Sequence, residues 1–133
     1  MTHRLIVLPC VLALAVAPPT AYAAPDWDHA ARVEVALSSF AYAPDTIRLR
    51  AGEAVVLHLV NTSSGGHDFT APAFFAASEV RAQDQAQIDR GRIEVPGNQS
   101  RDVALVPRAG EYPLKCSHSF HKMLGMSGHI IVG

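Results

Sequence analysis

The sequence predicts an all-β protein: an antiparallel Greek-key β-sandwich of about seven or eight strands, with one helical insertion over about residues 72–90. Short runs in which apolar and polar residues alternate recur from residue 32 onward, as in half-buried strands. Turns containing Pro and Gly separate these runs. The insertion is instead rich in alanine, with Pro72 near its start and Gly91 after its end, which is typical of a helix.

Each predicted strand rests on its own residue pattern. Val33, Val35 and Leu37 alternate with more polar residues, which predicts a strand with one buried face. The stretch 54–61 is apolar at both sets of alternating positions, which predicts a strand inside the core of the sandwich. The remaining strands are predicted around 47–49 and over 67–70, 92–95, 102–106, 111–116 and 128–132.

Length and composition indicate one globular domain. A chain of 133 residues is the size of a single domain, and 49% apolar with 17% charged residues is not the composition of a disordered protein. The net charge of −1 gives no general basis for binding nucleic acid or an anionic membrane. Two cysteines are too few for a disulfide framework or for a zinc cluster built on several cysteines.

Residues 1–23 have the pattern of a secretory signal peptide. A short basic start precedes the apolar run 5–17, and small residues occupy the cleavage positions before Ala24. The run is too short for a transmembrane anchor, and Cys10 lies too early in it for a lipoprotein. We therefore expect an exported, periplasmic protein whose mature domain spans 24–133 and keeps one cysteine.

That remaining cysteine, Cys116, needs an explanation, because exported proteins usually pair their cysteines or avoid them. His121 and Met126 follow it at +5 and +10, within one loop between two predicted strands. A second histidine, His67, lies 49 residues upstream of Cys116 beside two glycines. Two imidazoles, a thiolate and a thioether are the donors of a mononuclear electron-transfer copper site.

Four sequence motifs surround these donors, namely FAYAPDTI at 40–47, GHDF at 66–69, GEYPLKC at 110–116 and GMSGHI at 125–130. In this order they resemble the cupredoxins, the family of plastocyanin, azurin and pseudoazurin. The resemblance covers nearly the whole mature chain. It implies a β-sandwich, one copper ion that alternates between Cu(I) and Cu(II), and four metal ligands: His67, Cys116, His121 and Met126.

Some positions depart from the family pattern. Many members place Asn after the first ligand histidine, where this chain has Asp68. A carboxylate there can accept backbone N–H groups near Ser117 but cannot donate, and its charge would favour Cu(II) and lower the reduction potential. Met123 competes with Met126 as the axial ligand. His118 has three open interpretations: an exposed loop residue, a gate for electrons, or an auxiliary copper ligand.

The other histidines receive ordinary interpretations. His58 lies among Val and Leu in a predicted strand, and we expect a hydrogen-bonded or partly exposed residue there. His129 in the last strand is expected to face solvent. His29 lies in the N-terminal segment beside aspartates and would bind copper only weakly.

Two functions remain open, namely electron transfer between redox partners outside the cytoplasm, and copper binding for tolerance or delivery. An enzyme is not expected. A binuclear copper centre needs a second cysteine, which the mature chain lacks, and multicopper oxidases carry histidines next to their copper-binding cysteine, whereas neither neighbour of Cys116 is a histidine. For electron transfer we expect a monomer that meets a redox protein transiently, for example a cytochrome. An apolar surface formed by Phe120, Met123 and Leu124 would suit such docking.

Overall fold

The structure, a computed structural model, describes residues 15–19, 23–118 and 124–133. The signal peptide predicted at 1–23 lies largely outside this range and stays a prediction. No helix in the described part of the chain is long and apolar enough to cross a membrane.

Two five-stranded sheets pack face to face, as predicted for a β-sandwich. The first has the strand order β2-β1-β4-β8-β6, and the second has the order β3-β10-β9-β5-β7. The strand bounds are β1 Ala31–Ser38, β2 Ala41–Ala43, β3 Thr46–Leu49, β4 Val55–Asn61, β5 His67–Thr70, β6 Glu79–Val80, β7 Arg92–Val95, β8 Ser100–Val106, β9 Gly110–Lys115 and β10 Ser127–Val132.

The strands pair mainly antiparallel, but two pairs are parallel. β1 runs parallel to β4 and β3 runs parallel to β10, which the purely antiparallel prediction did not include. β3 and β10 are far apart in the chain. Between β1 and β4 the chain crosses to the second sheet, where it forms β3, and returns to the first. The alternation of apolar and polar residues shows only which face of a strand is buried and not the direction of the neighbouring strand. The parallel pairing could therefore not be predicted from the sequence.

The predicted helical insertion is shorter than 72–90 and is interrupted. Helix α1 covers Pro72–Ala77, the two-residue strand β6 follows, and a 3-10 turn covers Ala82–Gln87. The interruption has a physical cause, because β8 would otherwise present an unpaired edge. The Arg81 N–H donates to the Ala104 carbonyl at 2.9 Å, and the Ala104 N–H donates to the Asp84 carboxylate at 2.9 Å.

The core lies between the sheets and consists of the inward-facing residues of both. The pattern in β4 alternates between buried and half-buried positions, so the strand predicted to be apolar throughout does carry its most buried side chains on one face. The largest fully buried side chains include Leu37, Leu57, Leu59, Phe69, Phe74, Ile93, Leu105, Leu114 and Ile130. This packed core gives the loops at the ends of the sandwich a rigid support.

Candidate metal centre

Three of the four predicted copper ligands lie in the described part of the chain, and all three are buried. His67 is the first residue of β5, Cys116 directly follows β9, and Met126 directly precedes β10. Their exposed fractions are 2% for His67, 0% for Cys116 and 1% for Met126. His121 and the competing Met123 lie outside the described residues, so both stay predictions from the sequence.

The loop that carries Cys116 and Met126 is closed at its base by the sheet. β9 and β10 pair antiparallel up to Lys115 and Ser127. Beyond this pair the Cys116 N–H donates to the Met126 carbonyl at 3.1 Å, which extends the ladder by one bond. The sheet therefore fixes the backbone of the thiol and of the thioether relative to each other.

Asp68 connects the His67 strand to the cysteine loop. β5 and β9 pair only at Thr70 and Lys115, and the Asp68 side chain bonds to the loop beyond that point. Its Oδ1 accepts the Ser117 N–H at 2.9 Å and the Thr70 hydroxyl at 2.7 Å, and its Oδ2 accepts the Ser117 hydroxyl. The prediction that this carboxylate accepts a backbone N–H near Ser117 is confirmed.

Tyr42 holds the same strand from the other side. Its hydroxyl donates to the Asp68 carbonyl at 2.6 Å, and its ring meets the Phe69 ring edge-on with centroids 6.2 Å apart. Burial raises the pKa of Tyr42 well above its usual range, and the nearby Cys116 and Asp68 charges add to this. The phenol therefore remains a hydrogen-bond donor at every physiological pH.

The loop before His67 is fixed by Asn61. Its amide group donates to the Gly65 carbonyl at 2.8 Å and to the Val95 carbonyl at 2.9 Å, and its oxygen accepts the Ser63 N–H at 3.0 Å. The sequence pattern placed Asn61 only at the end of the predicted strand 54–61 and did not indicate this role. An Asn at the end of an apolar strand is the one local signal that could have indicated it.

The surroundings of the Cys116 sulfur favour a bound cation. Burial raises the pKa of the thiol, and the carboxylates of Asp68 and Glu94 raise it further. Hydrogen bonds from the backbone N–H groups of Asp68 and His118 act in the opposite direction. A thiolate at this position is thus costly by itself, and a metal ion that replaces the proton would offset the cost.

His118 is neither a fully exposed residue nor a buried one. Its side chain is 36% exposed, and its Nε2 lies 3.0 and 3.3 Å from the two carboxylate oxygens of Glu94. The Asp68 Oδ2 is 3.7 Å from the same nitrogen. Donor atoms of Asp68, Cys116 and His118 all lie within 4.8 Å of one another. Sequence patterns did not single out Glu94, because it is one of several charged residues in short strands.

The remaining histidines agree with their ordinary interpretations. His58 Nδ1 lies 2.5 Å from a carboxylate oxygen of Asp102, so His58 is hydrogen-bonded as predicted. Although burial opposes the shift, the hydrogen bond with His58 helps to hold the pKa of Asp102 below its usual value. His29 makes an exposed contact with Asp26 at 2.8 Å, and His129 faces solvent.

The donor set present at this end of the sandwich fits copper. A buried thiol and a buried thioether are soft ligands that suit Cu(I), and imidazole suits Cu(II). Among the described residues, the first two are supplied by Cys116 and Met126 and the imidazole by His67.

Comparison with known proteins agrees with this chemistry. The family model described as "Copper binding proteins, plastocyanin/azurin family" matches residues 29–133. No curated protein sequence matches the chain.

Solved structures share the fold. An auracyanin from Roseiflexus castenholzii has 16% identity and a TM-score of 0.58, with 78% of this chain and 98% of that chain covered. Auracyanin A, a "blue" copper protein from Chloroflexus aurantiacus, has 20% identity and a TM-score of 0.52, with 77% and 99% covered. The McoA multicopper oxidase from Aquifex aeolicus has 15% identity and a TM-score of 0.61, with 86% of this chain but only 32% of that chain covered.

At these identities the structural matches establish the fold alone, whereas the family model spans most of the chain. The chain therefore belongs to the plastocyanin/azurin family of copper-binding proteins, the cupredoxins, and its cofactor is copper.

Proposed function

We propose that this protein is an exported type 1 copper protein that carries single electrons between redox partners. Its copper ligands in this proposal are His67, Cys116, His121 and Met126. The observation that carries the proposal is the burial of an imidazole, a thiol and a thioether at one end of a packed sandwich. Each of these side chains belongs to, or directly adjoins, a strand of the same sheet.

Bound copper supplies a one-electron couple between Cu(I) and Cu(II). The role of the chain is to keep the donors in place in both oxidation states, so that little rearrangement accompanies the transfer. Asp68 ties the His67 strand to the cysteine loop, and the Cys116 N–H ties that loop to Met126. Asn61 and Tyr42 fix the segments on either side of His67.

Transient docking is supported by the loops around the donors. Leu124, two residues before Met126, is 51% exposed. The neighbouring loops 62–66 and 96–99 carry no charged residue. Such a surface suits a short-lived encounter with a redox protein, for example a cytochrome, in which desolvation is easy and no charge is buried. The protein would act as a monomer in the periplasm after removal of residues 1–23.

Absorption spectroscopy tests the ligand set. The copper-loaded protein is expected to show intense visible absorption from charge transfer between the thiolate and Cu(II), and Cys116→Ser is expected to abolish it. His58→Gln is the matched control, because His58 bonds to Asp102 on the other sheet. A Cys116→Ser variant that kept the absorption would contradict the ligand assignment. Comparing Met126→Leu with Met123→Leu identifies the axial thioether.

Kinetics separates electron transfer from the alternative, copper tolerance or delivery. An electron carrier is expected to exchange electrons rapidly with a cytochrome and to retain its single copper in the presence of copper acceptors. A delivery protein would instead hand Cu(I) to an acceptor protein or chelator. A deletion strain with impaired respiration and normal copper tolerance would support the carrier function, and the reverse phenotype would contradict it.

A further inference from the structure

We propose that Glu94 is a positioning residue of the copper centre: it holds His118, and with it the cysteine loop, against β7 and thereby sets the reduction potential. This inference rests on the proposed copper site at Cys116 and concerns residues that lie beside it. Sequence patterns alone assign no role to Glu94 and leave that of His118 open.

Three consecutive residues of the cysteine loop are anchored by hydrogen bonds. Cys116 bonds through its N–H to Met126, and Ser117 bonds through its N–H and hydroxyl to Asp68. His118 bonds through its ring to Glu94. The loop is therefore held at three points, and the Glu94 contact is the last of them before residues 119–123.

The sheet places Glu94 beside Asp68. β5 and β7 pair in a register that sets Asp68 opposite Glu94, so both carboxylates project from the same face of the sheet. Gly66 leaves the space that Glu94 occupies, since a Cβ at that position would lie 3.2 Å from the Glu94 carboxylate and 3.8 Å from the His118 ring. Because a carboxylate can only accept, His118 Nε2 is the donor in this hydrogen bond.

His118 connects Glu94 to the Cys116 sulfur. The backbone N–H of His118 donates to the Cys116 sulfur, so a ring held by Glu94 keeps that N–H directed at the thiolate. Hydrogen bonds to a ligating sulfur and charges close to it are the outer-sphere features that tune a metal centre. The negative charge of Glu94 opposes reduction of the centre, because the Cu(I) state carries one positive charge less than the Cu(II) state.

Two substitutions separate the charge from the anchoring. Glu94→Gln keeps an oxygen that can accept from His118 but removes the charge. We expect it to raise the reduction potential by about 59 mV, a tenfold change in a one-electron equilibrium, with an unchanged visible spectrum. Glu94→Ala also releases the ring, and we expect the potential to rise and the charge-transfer band to change. Glu111→Gln, an exposed position on β9, is the control for net charge and is expected to change neither property.

Amide hydrogen exchange supplies a readout that needs no copper. In the metal-free protein, Glu94→Ala is expected to speed exchange of the His118 N–H about tenfold, whereas Glu111→Gln leaves it unchanged. Equal potentials, spectra and exchange rates in the Glu94 variants and the control would overturn the inference. If wild-type protein with Cu(II) showed no thiolate absorption, the proposed copper site would fail instead, while faster His118 exchange in Glu94→Ala would still support the anchoring.

Discussion

Replacement of Asp68 tests how the two halves of the copper site are joined. The Asp68 carboxylate is fully buried and accepts three hydrogen bonds, two from Ser117 and one from Thr70. Asp68→Ala leaves these donors without their acceptor. A hydrogen bond to a charged group contributes about 1.5–3 kcal/mol, but three bonds to one carboxylate are not additive. We therefore expect a loss of about 3–5 kcal/mol in the free energy of unfolding.

Asp68→Asn is the informative companion. The amide oxygen can accept the Ser117 N–H and the Thr70 hydroxyl, while the amide NH2 donates to the Ser117 hydroxyl once that hydroxyl turns. All three contacts then survive with one reversed, so the expected loss is about 1 kcal/mol or less. Loss of the negative charge beside the cysteine loop is expected to raise the reduction potential of the copper-loaded protein.

Urea unfolding followed by circular dichroism measures both variants, with Thr70→Val as a control that removes a single bond. With an m-value of about 1.5 kcal/mol/M, a loss of 3 kcal/mol lowers the midpoint by about 2 M. The measurement is made on metal-free and copper-loaded protein, because bound metal adds stability of its own. If Asp68→Asn were as damaging as Asp68→Ala, or if Asp68→Ala unfolded like wild type, the assigned role of the carboxylate would be wrong.

Three further predictions concern stability. Because the pKa of Tyr42 is raised in the folded protein, the protonated phenol stabilises the fold fully below pH 10, and this stabilisation is lost above pH 10 at up to about 1.4 kcal/mol per pH unit. Tyr42→Phe should therefore weaken the dependence of the free energy of unfolding on pH in the alkaline range. An unchanged dependence on pH would contradict this prediction. Because the pKa of Asp102 lies below its ordinary 3.8 in the folded protein, the ionised carboxylate stabilises the fold above that pH, and this stabilisation is lost as the pH falls further. Asp102→Asn should lower the free energy of unfolding by about 0.5 kcal/mol at pH 7, allowing for solvent screening. In a double-mutant cycle, His58→Gln should remove the same contribution. A Cβ at Gly97 would lie 2.0 Å from the Ser64 carbonyl oxygen, so Gly97→Ala should lower the midpoint of thermal unfolding by several degrees. A midpoint equal to that of the wild type would show that loops 62–66 and 96–99 can move apart at no cost in stability.

The strand pattern and the chemistry of the donors were readable from the sequence. Alternation in stretches such as 33–37 predicted strands that the structure confirms, because burial of one face imposes a period of two on the residues of each strand. The residue types Cys116, Met126 and His67 indicated copper because ligand softness is a property of the side chain itself. Neither inference needed to know which strands are neighbours.

The helical insertion marks the limit of such local patterns. The composition of 72–90 favours a helix, yet the chain leaves the helical conformation at Ser78 and pairs Glu79–Val80 with β8. Composition reports the helix propensity of a segment, and the unpaired edge of a distant strand outweighs that propensity.

The sequence by itself determined the class of fold, the metal and the candidate donors, since each depends on residue type and on short spacings. Only the tertiary structure decided how the centre is held. The contact of Ser117 with Asp68 spans 49 residues, that of Tyr42 with Asp68 spans 26, and that of His118 with Glu94 spans 24. Such partners are brought together by strand register and sheet order, which hydrophobic periodicity does not encode.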